Sequence, residues 1–346
     1  MVTFVVRRIA FSIPILLLAS VLVFFFVRET TDPLAKYAQN RDVSTKFRAG
    51  LDIGVYQQPC TYVTNPSGGR APVGCKKSPF VKQYTYWLTH FVKGDMGQSF
   101  TSNEAVSKKI ARGFVNTLQL IVWGVLISAI VAVAVGVYSA IRQYSVLDYT
   151  LTGLAFFGIA MPPFFFGLMA IQIFSYQLSV WFHLRSPIFF SIGLHGAHGP
   201  GLLAAVLDYS RHLVLPVTTL TVQIIASWSR YQRASMLDVM NSDYIRTARA
   251  KGLSRSKVVL KHGLRNALIP LVTVMAIDIG LLFGGLLVTE QIFSIGGMGK
   301  IFVDALASGD TNVLLPWLMV SAVFIILFNL LADVLYGTLD PRIRLA

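Results

Sequence analysis

Charge is scarce in this sequence. Asp, Glu, Lys and Arg make up 13% of its 346 residues, against about 25% in an ordinary soluble domain. Acid is the scarcer sign: 16 Asp and Glu stand against 30 Lys and Arg, a formal charge of +14. Cysteine is limited to Cys60 and Cys75, which excludes a disulfide-dense scaffold and a four-cysteine zinc site. No H-E-x-x-H or G-x-S-x-G string occurs, so metalloprotease and serine hydrolase readings lose their motifs. A phosphate-binding loop is missing as well. Gly296-Gly297-Met298-Gly299-Lys300 lacks the G-x4-G-K-[ST] spacing, and Ile301 takes the place of the hydroxyl residue. No internal repeat and no inverted pair of broken segments stands out.

What is abundant is apolar. Hydrophobic residues make up 54% of the chain and the mean hydropathy is +0.62. They come in blocks, and a hydrocarbon core about 30 Å thick needs roughly 20 such residues as a helix. Six segments qualify or come close: Ile9–Val27, Thr117–Ala140, Thr150–Tyr176, Leu213–Trp228, Leu268–Val288 and Leu314–Leu335. The fourth is short and carries Thr218, Thr219, Thr221 and Gln223. It must extend through 229–234 or line a wet cavity, since lipid cannot satisfy those groups. Arg7 and Arg8 precede the first block as in a signal peptide. The block is too long for one, and Phe24, Phe25 and Phe26 occupy the place of a small-residue cleavage site.

Basic residues set the orientation. With the N-terminus in the cytoplasm, the inside segments hold fourteen and the short outside loops three: Arg185, Arg211 and Lys300. The expected fold is therefore an all-α membrane protein of six helices with both termini cytoplasmic. It divides into a first helix at 1–28, an extracytoplasmic insertion at 29–116 and a five-helix core at 117–346.

The insertion is turn-rich. Cys60 and Cys75 both lie in it, where thiols are normally oxidised, so a Cys60–Cys75 disulfide is expected there as a structural clip. Phe80, Tyr84, Trp87, Leu88 and Phe91 recur at helical spacing ahead of Gly94, which predicts an amphipathic helix with a glycine stop. Asn103 is expected to cap a second short helix ending near Gly113. His195 and His198 fall in a glycine-rich loop without a further ligand nearby, so no metal site is expected.

The loop between spans four and five is the most informative stretch, at about 236–265. It carries nine basic residues between Arg230 and Arg265, offset by Asp238 and Asp243. Ser242 and Asp243 predict a helix start, and Arg249 and Lys251 followed by Gly252 predict its stop about two turns later. Ile245 and Ala248 share a face, and the small residues Thr247, Ala248 and Ala250 leave room for another protein's cleft. Ser254 is expected to cap a second short helix ending at His262-Gly263. The capping and the small face favour a protein partner over lipid headgroups.

The residues here resemble a family: the membrane subunit of bacterial ATP-binding cassette (ABC) importers for peptides. Such permeases carry a cytoplasmic "EAA" loop, roughly E-A-A-x3-G-x9-I-x-L-P. Arg246-Thr247-Ala248 stands at its E-A-A positions, Gly252 at its glycine, and His262-Gly263-Leu264-Arg265 at its I-x-L-P. The family's Glu and Pro are replaced, and the peptide branch typically reads R-T-A-R-A-K-G, as here. Gly94-Asp95-Met96-Gly97-Gln98-Ser99-Phe100, Met161-Pro162-Pro163-Phe164, Glu290-Gln291-Ile292-Phe293, Asn329–Asp333 and Leu339-Asp340-Pro341-Arg342 resemble further family motifs.

The resemblance implies a permease with no ATP site of its own. It implies a second homologous permease, two ATPase subunits or domains carrying ATP and Mg, and an external peptide-binding protein. Nucleic acid is not an expected partner of the +14 chain. Location follows as the bacterial inner membrane. Asp243, Ile245, Arg246, Thr247, Ala248, Arg249, Gly252, His262 and Leu264 are the expected ATPase-coupling residues. Oligopeptides are the favoured substrate; dipeptides, glutathione and nickel chelates are moved by the same family. For the translocation pathway, Pro162 and Pro163 break span three and free backbone carbonyls. Met161, Pro162, Pro163, Gln223 and the intramembrane Asp278 are its candidate residues. A proton-coupled carrier working through Asp278 is the competing mechanism.

Overall fold

A computed structural model of the chain describes residues 2–30, 61–64, 70–73, 78–102, 104–197 and 199–339. The helix α1 (Val2–Thr30) is followed by two short antiparallel strands, β1 (Thr61–Thr64) and β2 (Arg70–Val73), paired Thr61 to Val73. Cys60, Cys75, Asn103 and His198 lie outside the described residues. Mass spectrometry with and without reductant is expected to find Cys60 and Cys75 joined; two free thiols would remove the clip.

Helices α2 (Phe80–Val92) and α3 (Val106–Ile141) follow, then α4 (Val146–Ala160) and α5 (Pro163–Ala170). A π-helical stretch at Ile171–Gln177 leads into α6 (Leu178–Trp181). Beyond a loop come α7 (Leu202–Met240), α8 (Asp243–Ala250) and α9 (Arg255–Lys257). A second π-helical stretch, Val258–Gly263, runs into α10 (Leu264–Gly285). The chain ends through α11 (Leu287–Ile292), α12 (Met298–Ser308) and α13 (Thr311–Leu339).

Among the described residues, six helical runs are long and apolar enough to cross a membrane: Val6–Thr30, Val106–Ile141, Pro163–Trp181, Leu202–Met240, Arg255–Leu282 and Thr311–Leu331. The all-α membrane architecture is thus as expected, apart from the small hairpin. The differences are local, and each has a cause. The third block splits at Pro162: Val146–Ala160 is a separate, shorter apolar helix, and Pro163 opens the next at its N1 position, where a missing N–H costs nothing. The fourth span extends far beyond its apolar stretch, to 39 residues. No helix ends at Gly113. A Cβ there would sit 2.3 Å from the Ile301 Cδ1, so the glycine serves close packing inside α3 rather than a stop. Gly94 does stop α2, with a left-handed φ of 84° and its N–H bonded to the Phe91 carbonyl.

The chain forms two compact units. One comprises Met1–Val5, Asn116–Ile295 and Ile325–Ala346. Its hub is α7, packed on α4, α5 and α10. Ala132, Trp228 and Leu271 form one buried cluster, and Ala140, Met236, Val259 and Ala267 another. The other unit comprises Val6–Val115 and Gly296–Phe324. Its core joins Val106, Ile110, Met298, Ile301, Val313 and Trp317, whose indole N–H donates to the Met298 carbonyl at 2.6 Å. In the same unit Ser99 of the G-D-x-G-x-S stretch donates to the Asp310 carboxylate at 2.5 Å, and Asn312 donates to the Gln98 carbonyl at 2.8 Å. That motif is therefore fastened to the start of α13.

Candidate functional site

Helix α8 begins at Asp243, but Ser242 does not cap it through its side chain. Its hydroxyl donates back to the Val239 carbonyl at 2.6 Å instead. The stop is as expected. Gly252 takes φ 76°, its N–H reaches the Arg249 carbonyl, and the Leu253 N–H reaches the Ala248 carbonyl. This is the Schellman arrangement that closes a helix C-terminus. A branched side chain at a left-handed position costs about 1–2 kcal/mol. In Gly252→Val, trypsin is therefore expected to cleave faster after Arg249 and Lys251. Unchanged digestion would show that the cap does not hold the helix.

The two faces of α8 differ sharply. Ile245 and Ala248 are buried with Val258, against Val239 and Met240. Ala248 is thus covered by its own chain, not held out for another protein. Asp243, Tyr244, Arg246, Thr247, Arg249 and Ala250 are exposed, as are Lys251 and Gly252. Arg246 contacts Asp243 at 3.5 Å, both side chains mostly in solvent, so the pair does little to hold either charge in place. The short helix is a seated wedge with a cationic outer face.

His262 and Leu264 are half-buried, and the helical run passes through them without a break, from π-helical to α-helical at Gly263–Leu264. Gly263 lies in right-handed geometry inside a continuous helical run. A Cβ there would come within 3.0 Å of the Met236 Cε and 3.2 Å of the Met240 Sδ. The glycine brings α10 close to the end of α7, and α10 continues into the fifth span.

The broken third span carries the second group of candidates. Met161 is extended (ψ 123°) and ends α4, because Pro162 has no N–H to continue the ladder. The carbonyl of Met161 accepts from the Gln223 side-chain amide at 3.0 Å. One expected polar residue thus satisfies the backbone of another. Gly167 of α5 lies near Thr219 and Ile292, where an added Cβ would be 3.3 Å from each. Asp278 belongs to a different contact: it accepts from the indole N–H of the fully buried Trp228 at 2.7 Å.

Three polar pairs were not anticipated. Asp148, in the first turn of α4 and ahead of its apolar stretch, is 2% exposed. It takes two bonds from Arg233, at 3.2 and 3.0 Å, and one from the Tyr144 N–H. Burial would raise its carboxyl pKa, but the guanidinium and the backbone N–H outweigh this and hold it below the ordinary carboxylate range. The pair stays ionised at neutral pH, and its contribution is lost only as pH falls through that lowered value. Glu290 of the E-x-I-F stretch is fully buried and accepts from Thr117 at 2.5 Å. Asp208 contacts His212 at 3.3 Å and accepts from the Gly196 N–H at 2.9 Å. These two residues line a cavity of about 440 Å³ with Ser175, Phe190 and His195. Among the described residues no group of three or more His, Cys, Asp or Glu could hold a metal ion.

Comparison with known proteins gives a consistent picture. Residues 132–345 match the family model described as "Binding-protein-dependent transport system inner membrane component". An oligopeptide transport system permease of Bacillus subtilis is 35% identical, over 99% of this chain and 100% of its own. A dipeptide transport system permease of Escherichia coli and a glutathione transport system permease of Pectobacterium atrosepticum are each 34% identical over 99% of both chains. A solved methionine ABC transporter in inward-facing conformations aligns with a TM-score of 0.52 at 19% identity, over 67% of this chain and 96% of that one; this likeness concerns the fold.

Proposed function

The chain belongs to the family of inner membrane components of binding-protein-dependent transport systems, and from that premise we propose that it is the permease subunit of an ABC importer moving oligopeptides across a bacterial cytoplasmic membrane. The observation that carries the mechanism is α8: a capped helix, anchored by Ile245 and Ala248, whose outer face presents Arg246, Thr247, Arg249 and Ala250. Family membership makes this a multi-pass membrane subunit rather than a catalytic ATPase, working with an ATPase and a substrate-binding protein.

In the proposed assembly a second homologous permease pairs with this one, and two ATPase subunits or domains hold ATP and Mg. Asp243, Arg246, Thr247, Arg249 and Gly252 form the docked helix. Ile245, Ala248, His262 and Leu264 mount it on the spans. Both termini face the cytoplasm, the 29–116 insertion faces outward toward the binding protein, and lipid covers the exposed apolar faces. When ATP draws the ATPases together, α8 moves and the bundle rocks between outward and inward access. Met161, Pro162, Pro163 and Gln223 form part of the pathway wall. Asp278 belongs to the same wall with its carboxylate oriented by Trp228. The oligopeptide assignment rests on likeness to the Bacillus relative along its whole length.

Affinity purification from the native membrane, with identification of the ligand held by the co-purified binding protein, tests the reading. The expected result is this chain with a second permease, nucleotide-binding subunits and a peptide-loaded binding protein. Purification without any nucleotide-binding subunit, joined to uptake driven by a proton gradient and lost in Asp278→Asn, would overturn it.

A further inference from the structure

We propose that the Asp148–Arg233 ion pair is the joint that carries movement of α8 into the broken third span, which makes both of them positioning residues for transport. The inference rests on the reading of α8 as the docked helix, and it concerns what happens above that helix.

The path begins at the seat of α8. Ile245 and Ala248 pack against Val239 and Met240 at the end of α7, and Gly263 lets Met236 and Met240 close on the following segment. The helix α7 is unbroken from Leu202 to Met240, so displacement at its end displaces the turns behind it. Several side chains on those turns reach α4, Arg230 lying over the Phe156 ring at 5.4 Å among them, and two form hydrogen-bonded anchors at its ends. Arg233 grips Asp148 in its first turn, and Gln223 donates to the Met161 carbonyl at its last. The two anchors are ten positions apart, roughly 15 Å along α7. The short helix α4 is thus strapped to α7 at both ends. Immediately beyond the second strap, Pro162 interrupts the backbone ladder, so bending is concentrated between α4 and α5.

Stability does not explain this choice of residues. Asp148 is buried while the Arg233 side chain is 31% exposed; such a pair is often no more stabilising than apolar residues of the same volume, whereas removing Arg233 leaves an uncompensated buried charge. What a two-bond guanidinium–carboxylate contact adds is a fixed geometry. Asp148 is held from the other side by the N–H of Tyr144, a non-glycine residue at φ 60°. The end of α3, three residues ahead of Tyr144, is itself touched from the α8–α10 segment, where the Arg255 guanidinium donates to the Ile141 carbonyl at 3.4 Å. Both routes from the docked helix meet at the start of α4.

The test uses the whole complex in proteoliposomes, with the binding protein carrying its endogenous ligand. The readout is the factor by which saturating binding protein stimulates ATP hydrolysis. Coupling free energies between sites correspond to roughly 5–150-fold effects, so Asp148→Asn and Arg233→Gln are expected to lower the stimulation factor at least about fivefold. Arg233→Lys, which keeps the charge but loses the fork, should fall between, and it serves as the readout if the other variants fail to assemble. A D148C/R233C pair, in a chain with Cys60 and Cys75 changed to serine, should regain stimulation when bridged by a short thiol cross-linker. Wild-type stimulation in assembled variants, or a formed bridge that restores nothing, would overturn the joint. If charge reversal on α8 has no effect either, the reading of α8 fails first; if it acts while the Asp148 and Arg233 variants do not, only the joint is lost.

Discussion

Arg246→Glu combined with Arg249→Glu is expected to abolish ATPase capture and reduce uptake about a hundredfold, while the chain itself remains folded in the membrane. Both side chains are exposed on α8, and Arg246 has one weak contact, to Asp243. Reversal therefore leaves the buried seat of Ile245, Ala248 and Val258 untouched. Against a partner cleft the effect is different. Close charge pairs across an interface couple by about 1.5 kcal/mol or more, and each 1.4 kcal/mol is about tenfold. Replacing attraction by repulsion at two positions gives the expected loss. Tagged purification and uptake measured on the same membranes check it, and unchanged co-purification with unchanged uptake would sink it. Ala248→Leu is a poor substitute, because it would push α8 off its own seat before any partner was involved.

Gly136→Val is expected to damage folding strongly. A Cβ at Gly136 would lie 2.7 Å from the Gln232 Cβ and 2.8 Å from the Ser229 carbonyl oxygen. Neither can yield without moving the backbone of α7. Overpacking costs typically 1–3 kcal/mol and occasionally more; with the hub helix displaced, the upper part of that range applies. Gly113→Ala supplies the control. Its added Cβ would approach the Ile301 Cδ1 still more closely, at 2.3 Å, yet that methyl is the far end of a flexible side chain and can rotate away. Thermal unfolding in detergent should therefore separate the two, with Gly136→Val melting well below Gly113→Ala. Equal melting would mean that α3 and α7 can part without cost.

The spans and helix α8 were readable from sequence because their signals are local. Apolar blocks near 20 residues mark helices that cross a bilayer, and Asp243 and Gly252 bracket a helix by the chemistry of its ends. Direction was harder. Small residues at Ala248 and Ala250 announce that something packs closely, without saying whether the neighbour is the same chain. Ala248 faces inward on Val258, and Ala250 outward. Glycine carries the same ambiguity. Gly94 and Gly252 stop helices by adopting positive φ, whereas Gly113 and Gly263 lie inside helices and admit a neighbouring side chain. The polar pairs were the least legible. Arg233 and Asp148 are 85 positions apart and Trp228 and Asp278 are 50, so no pattern in either neighbourhood names the other partner.

The unequal lengths of neighbouring spans bear on the choice of lipid. At 1.5 Å per residue the 39-residue α7 is about 58 Å long, nearly twice a hydrocarbon core of about 30 Å. Its apolar stretch is much shorter, about Leu213–Trp228 between Arg211 and Arg230, so the extra length lies outside the hydrocarbon and gives no reserve against a thicker bilayer. The run Pro163–Trp181 has 19 residues and is likewise barely long enough. In a thick, sterol-rich bilayer that run would have to thin the lipid around it, and the strain would fall beside the proline break. Hydrophobic mismatch is thus governed by these two short apolar stretches, and reconstitution in short-chain phosphatidylcholine is expected to preserve activity better than reconstitution in long-chain lipid.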